Sequence, residues 1–204
     1  MCPIHLCGTS KHLFSNFLLI IVLVSLGSIN INGFLQPADT PVVSVSNRAF
    51  RYGDALFESI RFSKGRICFL DKHLKRLTGS MALLKMEIPE TFSAPFFEEQ
   101  IQTLLLANGI ATSARIRLSV FRKDGGLYMP FTNAISWVLE AENMDETDYA
   151  FSTKGLTVDI YQDYRKPTHK LSNIKSANAL FYVLAAEHAR ANAFDDCVII
   201  NQQM

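Results

Sequence analysis

The sequence predicts an α+β protein, and three observations predict it. Short apolar runs alternate with period two; longer stretches repeat apolar residues at three- and four-residue steps; Gly, Pro and Asn punctuate the boundaries. The 204 residues are 49% hydrophobic with a formal net charge of +1, enough to bury a sizeable core as one domain or two small ones. Positive and negative side chains alternate through the body of the chain, so it lacks the clustered basic face of a nucleic-acid binder.

Residues 1–28 read as an extension to the folded part. Phe17 to Leu26 form an apolar run preceded by Lys11 and His12, the charge-then-apolar order of a signal peptide or short anchor. A membrane span needs about 20 apolar residues and a signal-peptide core about 7 to 15, so length favours the second comparison. An upstream start or misread junction is the preferred reading, ahead of an export signal and a retained anchor.

Residues 29–141 are expected to form a small α+β domain. Ile29 to Leu35 and Val42 to Val45 read as strands of a hairpin at its rim, with Pro37 and Pro41 between them. Leu56 to Phe62 is a strand with Phe57, Ser59 and Arg61 on one face and Leu56, Glu58, Ile60 and Phe62 on the other. Lys64-Gly65 turns the chain, and Arg66 to Leu70 returns as a second strand. Asp71 can cap a helix whose inward stripe is Leu74, Leu77, Met81 and Leu84, ending before Pro89. A second helix spans about Ser93 to Asn108, with Phe96, Phe97, Ile101, Leu104 and Leu105 inward and Asn108-Gly109 as its stop. Strands Ala114 to Arg122 and Ala134 to Ala141 follow, joined through Gly125-Gly126. The acidic stretch from Glu142 begins a linker, residues 142–150. Residues 151–204 hold two strands expected to be buried, Leu156 to Tyr161 and Val198 to Ile200, around a helix on which Leu180, Leu184 and His188 recur every four residues.

The four cysteines, Cys2, Cys7, Cys68 and Cys197, match neither zinc-ligand spacing nor a disulfide framework, and the five histidines show no metal-ligand pattern. Free thiols and no metal site are expected. Lys175 is the residue most suited to chemistry. It lies between the polar, proline-containing loop Asp163 to Ser172 and the apolar helix, where burial would favour the neutral amine that a Schiff base requires. The alternative is a surface lysine near a helix start.

Six segments in order carry a resemblance: Ile31-Asn32-Gly33; Asn47-Arg48-Ala49-Phe50-Arg51-Tyr52-Gly53-Asp54; Leu56-Phe57-Glu58-Ser59-Ile60-Arg61; Phe69 through Leu77; Arg115-Ile116-Arg117; and Lys175 with its helix. Together they make residues 30–204 similar to the class IV, or fold type IV, family of pyridoxal phosphate enzymes, which includes branched-chain and D-amino acid aminotransferases and 4-amino-4-deoxychorismate lyase. The resemblance implies a small N-terminal domain plus the first part of a larger, cofactor-binding C-terminal domain, in a chain truncated relative to the family. It implies pyridoxal 5'-phosphate as cofactor, held as a Schiff base by Lys175, with Arg76 on its phosphate. A guanidinium suits phosphate because its planar fork of donors never loses its charge. Arg76 could instead be a solvated helix residue near Glu87 or Asp71.

By the same resemblance Tyr52 and Phe57 line the substrate pocket, and Arg61 and Arg117 lie close to it. The arginines would meet a substrate carboxylate or, alternatively, form ion pairs with Glu58 or Asp54. The implied reaction is amino transfer between an amino acid, branched-chain-like or similar, and a 2-oxo acid. Lyase chemistry releasing pyruvate and 4-aminobenzoate is the alternative, and an inactive fragment is another. Leu180, five residues after Lys175, leaves the subfamily open, while Gly125-Gly126-Leu127-Tyr128 departs from the lyase pattern, which tends to carry an arginine there. A cytoplasmic homodimer acting on small molecules, without nucleic acid as partner and without a membrane unless the N-terminal segment is authentic, completes the expectation.

Overall fold

The structure is a computed structural model that describes residues 27–145 and 153–203. The expected extension therefore lies almost wholly outside the described residues, as does most of the linker.

A six-stranded antiparallel sheet forms the first unit, in the order β2-β1-β6-β5-β3-β4. The hairpin of β1 (Ser28–Ile31) and β2 (Phe34–Pro37) closes on Asn32 and Gly33, with φ of 52° and 98°. Two consecutive positive-φ residues are what a primed two-residue turn demands, and an Asn-Gly pair supplies them at least strain. This corrects the expected hairpin: both strands lie within residues 28–37, and Val42 to Val45 is irregular. A short helix α1 (Arg48–Tyr52) follows, capped by the Asn47 side chain, which accepts hydrogen bonds from the amides of Ala49 and Phe50.

Strand β3 (Ala55–Ser63) turns at Lys64-Gly65 into a two-residue β4 (Arg66–Ile67), shorter than the expected return strand. Helix α2 (Leu70–Leu83) starts one residue before Asp71, so Asp71 sits inside the first turn, beside the positive helix end, rather than at the cap. Helix α3 (Ala94–Ala107) and strands β5 (Ser113–Arg122) and β6 (Ile135–Asn143) stand close to where the periodicity put them. Strand β6 continues through Asn143, into what was expected to be linker.

The main core lies between this sheet and α2 with α3. Leu56, Ile60 and Phe62 of β3, Ile116, Leu118 and Val120 of β5 and Trp137 and Leu139 of β6 face Leu74, Leu77, Met81, Phe97, Ile101, Leu104 and Leu105. Period-two alternation leaves the opposite face to Phe57, Ser59, Arg61, Arg115, Arg117, Glu140 and Glu142, so one face is apolar and the other carries most of the charge.

The second unit is a parallel pair, β7 (Val158–Lys166) and β8 (Asp196–Asn201), crossed over by helix α4 (Leu180–Ala191). Its strands are not the buried ones expected. Of β7 only Tyr161 is buried, and Val158, Ile160 and Val198 are about half exposed. Helix α4 packs through Ala185 and Ala189, while Leu180 is 71% exposed and Leu184 also faces outward. The two units meet where residues 175–177 run antiparallel beside the free edge of β3: the Phe57 amide donates to the Lys175 carbonyl (3.0 Å) and the Ala177 amide to the Ala55 carbonyl (2.9 Å).

Candidate active site

The edge pairing sets where Lys175 points. Leu56 and Ser176 are opposed, so Phe57 and Lys175 share the sheet face away from the helices. There the Lys175 ammonium nitrogen stands 4.1 Å from the centroid of the Phe57 ring. Arg117, on the adjacent strand, places its guanidinium carbon 3.8 Å from the same centroid. One aromatic ring thus carries two cationic side chains, an arrangement its quadrupole favours. Among the described residues no carboxylate pairs with Lys175, whereas Arg117 approaches Glu140 at 4.0 Å.

Lys175 opens into a cavity of about 540 Å³, lined by Phe57, Lys166, His169, Ile174, Asn178 and Tyr182 among others. Its size is within the range of small-molecule sites. Polar groups converge on it: Lys166 donates to the Tyr182 hydroxyl (2.8 Å), and the Ser172 hydroxyl donates to the Pro167 carbonyl. Asn178 lies against Gly53, where a Cβ would come within 3.6 Å of its amide carbon; φ of 65° there already disfavours any other residue. The end of α1 and the start of the lysine helix are thereby brought into contact.

Arg76 is held elsewhere. On the helix-facing side of β3, Glu58 is 1% exposed and accepts hydrogen bonds from Arg76 Nε (2.7 Å) on one oxygen and from Arg76 Nη2 on the other. The second oxygen also meets His73 Nδ1 at 2.8 Å; a carboxylate can only accept, so that nitrogen carries the proton. Burial pushes the Glu58 carboxyl up, yet the hydrogen bonds from Arg76 and His73 outweigh it and hold the group below its ordinary value. The Arg76 side chain remains 52% exposed. It is not among the residues lining the Lys175 cavity, and its partner is Glu58 rather than Glu87 or Asp71.

Tyr52 also stands apart from the cavity wall. Its ring meets Tyr128 at 5.6 Å between centroids and carries the Arg48 guanidinium at 5.1 Å. Arg48 and Arg122, both buried, share Asp54 at 2.9 Å each, and Arg48 also donates to the carbonyls of Gly125 and Leu127. Asp54 is therefore engaged by these two arginines, and Glu58 faces the opposite side of the sheet from Arg61 and Arg117, so neither supplies the ion pair offered to those arginines as an alternative. Arg61 lies on the Phe57 face, half-buried. The structure thus brings Lys175, Phe57 and Arg117 together, and keeps Arg76 and Tyr52 in separate clusters.

His73, Asn178, Lys166 and Tyr182 were missed by sequence reasoning. For His73 a signal existed: Glu58 sits in an otherwise apolar alternation, and a buried acid demands hydrogen-bond partners, which His73 and Arg76 supply one helical turn apart. The others owe their place to a loop path that no periodicity encodes. Cys68 and Cys197 are free and partly buried. Among the described residues there is no cluster of three or more metal-ligating side chains, and no helix is long and apolar enough to cross a membrane.

This mixed α/β fold is shared with solved fold type IV pyridoxal phosphate enzymes. The chain belongs to the amino-transferase class IV family, whose profile matches residues 55–204. It is 30% identical over 101 residues to the D-alanine aminotransferase of Bacillus licheniformis, spanning 50% of this chain and 31% of that protein. Among solved structures it is similar to the T.th. branched-chain amino acid aminotransferase with pyridoxamine 5'-phosphate (TM-score 0.72, 26% identity, 87% of this chain and 60% of that one). A Legionella pneumophila protein assigned as a 4-amino-4-deoxychorismate lyase shares the fold (TM-score 0.68, 23% identity, 81% and 59%). The chain therefore spans about a third of that curated relative and about 60% of those structures.

Proposed function

We propose that the chain is the part of a class IV aminotransferase that carries the reactive lysine, and that Lys175 forms the Schiff base with pyridoxal 5'-phosphate. The observation that carries this reading is the Lys175 amine, without a carboxylate partner among the described residues, opening into a cavity of small-molecule size beside Phe57. The donor set suits the cofactor: a primary amine for the aldehyde, an aromatic ring beside it, and arginine and lysine for anionic groups. When bound, the cofactor supplies an aldehyde carbon and a conjugated ring that stabilises a carbanion.

The chain's own residues do the rest. Lys175 Nζ would hold the cofactor through its aldehyde, with loss of water, and as a free amine would carry a proton from and back to the substrate carbon next to nitrogen. Phe57 packs beside that amine and keeps water from one side of it. Arg117, stacked on the same ring although it lines a separate pocket with Glu140, would meet a substrate carboxylate by exchanging its long contact with that acid. Arg76 is the phosphate ligand of this reading, with half its side chain open to solvent. A homodimer belongs to the same proposal.

Amino transfer is preferred over lyase chemistry because the relatives at 26% and 30% identity are both aminotransferases. The test supplies the chain with pyridoxal 5'-phosphate, a panel of L- and D-amino acids and a 2-oxo acid, and measures keto acid formed beside pyruvate released from aminodeoxychorismate. Keto acid that disappears in Lys175→Ala is the expected result. Pyruvate release alone would move the assignment to the lyase, and neither product would leave a protein of this fold without the chemistry.

A further inference from the structure

Glu58 is a carboxylate where the alternation of β3 calls for an apolar side chain, between Leu56 and Ile60 on the helix-facing side of the sheet. Burying an ion costs free energy that only close partners offset. Two partners are present, and the way Arg76 is held is informative. The carboxylate takes the guanidinium side-on, through Nε and Nη2, which leaves the outer nitrogen Nη1 without a partner among the described residues. His73 occupies the remaining approach to the second carboxylate oxygen. Continuing the register that opposes Leu56 to Ser176 puts Ile174 beside Glu58, and Ile174 both packs against the main core and lines the Lys175 cavity. Glu58, which holds the guanidinium, and Ile174, which lines the cavity, are therefore opposed across one strand edge, with Arg76 itself outside the cavity lining.

We infer that Glu58, with His73, is a positioning residue that clamps Arg76 so that its outer edge is presented to a phosphate group. The inference rests on the proposed cofactor reading and deepens it. A long, flexible side chain that binds phosphate only when correctly turned loses rotamer freedom on binding; a clamp removes that loss beforehand. Fixing Nε and Nη2 on a buried carboxylate also offsets part of the charge, so the arginine remains in place on α2 when no anion is bound.

The test compares capture of pyridoxal 5'-phosphate with capture of pyridoxal, which has the same aldehyde and no phosphate, by borohydride reduction on the full chain. The ratio of their half-saturating concentrations reports phosphate recognition alone. Glu58→Gln is expected to lower the preference for the phosphorylated form by about tenfold while leaving pyridoxal within about twofold. Arg76→Gln should do the same, and the double variant should add little to either. A role in stability alone would weaken capture of both aldehydes together, and an unchanged ratio overturns the inference. Should Glu58→Gln not fold, His73→Asn is measured in its place, with partial loss of the preference expected. Failure of the Lys175 reading looks different, since neither aldehyde is then captured. In that event the Arg76 Nε–H resonance, titrated with inorganic phosphate, decides: a saturable shift present in the wild type and lost in Glu58→Gln sustains the clamp, and no shift in the wild type overturns it.

Discussion

Two side chains of β3, adjacent in sequence, serve opposite faces of one sheet. Phe57 lies beside the candidate nucleophile, and Glu58 anchors the arginine proposed for the phosphate. The acid has a measurable signature in pH. Its folded-state value is held below the ordinary 4.5 by the hydrogen bonds from Arg76 and His73, despite burial. A group depressed in the folded state adds stability that is present above its unfolded value and is lost as pH falls through the folded one. Urea unfolding should therefore show a loss of stability as pH drops below 4.5 that is shallower in Glu58→Gln than in the wild type. Identical slopes would show that the buried ion pair makes no contribution.

Among the elements, the loop joining β5 to β6 is fixed by charge rather than by packing. Arg48 and Arg122 are 4% and 5% exposed, and Asp54 is the carboxylate they share. Removing one member of a buried ionic group leaves the others uncompensated, so Asp54→Ala should destabilise by roughly 3–5 kcal/mol in urea denaturation. A loss under about 1 kcal/mol would mean that water reaches the two arginines freely. This cluster also shows where the sequence was legible and where it was not. Helices α2 and α3 and strands β3, β5 and β6 came from periodicity because one face of each meets the main core. The first hairpin was misplaced because the Asn32-Gly33 turn outweighs the prolines on which the longer reading relied. In the site, Lys175 and Phe57 share a cavity, whereas Arg76 and Tyr52 proved to be held by Glu58 and by Tyr128 with Arg48. Those pairings join residues far apart in sequence or across a turn, and single-residue spacing carries no record of them.

At the scale of the whole molecule, burial is uneven. The antiparallel sheet with α2 and α3 holds nearly all the fully buried large side chains, while β7, α4 and β8 expose Leu180, Val183, Val158 and Val198. Local opening follows local burial. Amide hydrogen exchange should accordingly be slowest in β3, β5 and β6 and faster by orders of magnitude across β7, α4 and β8. Uniform protection of both units would contradict this picture of the chain. The same imbalance bears on chemistry, because Lys175 sits at the seam, in a segment tied to the stable sheet by two backbone hydrogen bonds, one at Lys175 and one at Ala177, while its cavity is walled largely by the more exposed unit. The claim on which the functional account depends is that the Lys175 amine attacks an aldehyde. Incubation of the chain with pyridoxal 5'-phosphate, reduction with borohydride and peptide mapping by mass spectrometry test it directly. A single reduced adduct on Lys175, absent from Lys175→Ala, is expected; an adduct spread over surface lysines, or retained undiminished in that variant, would rule out Lys175 as the attacking amine.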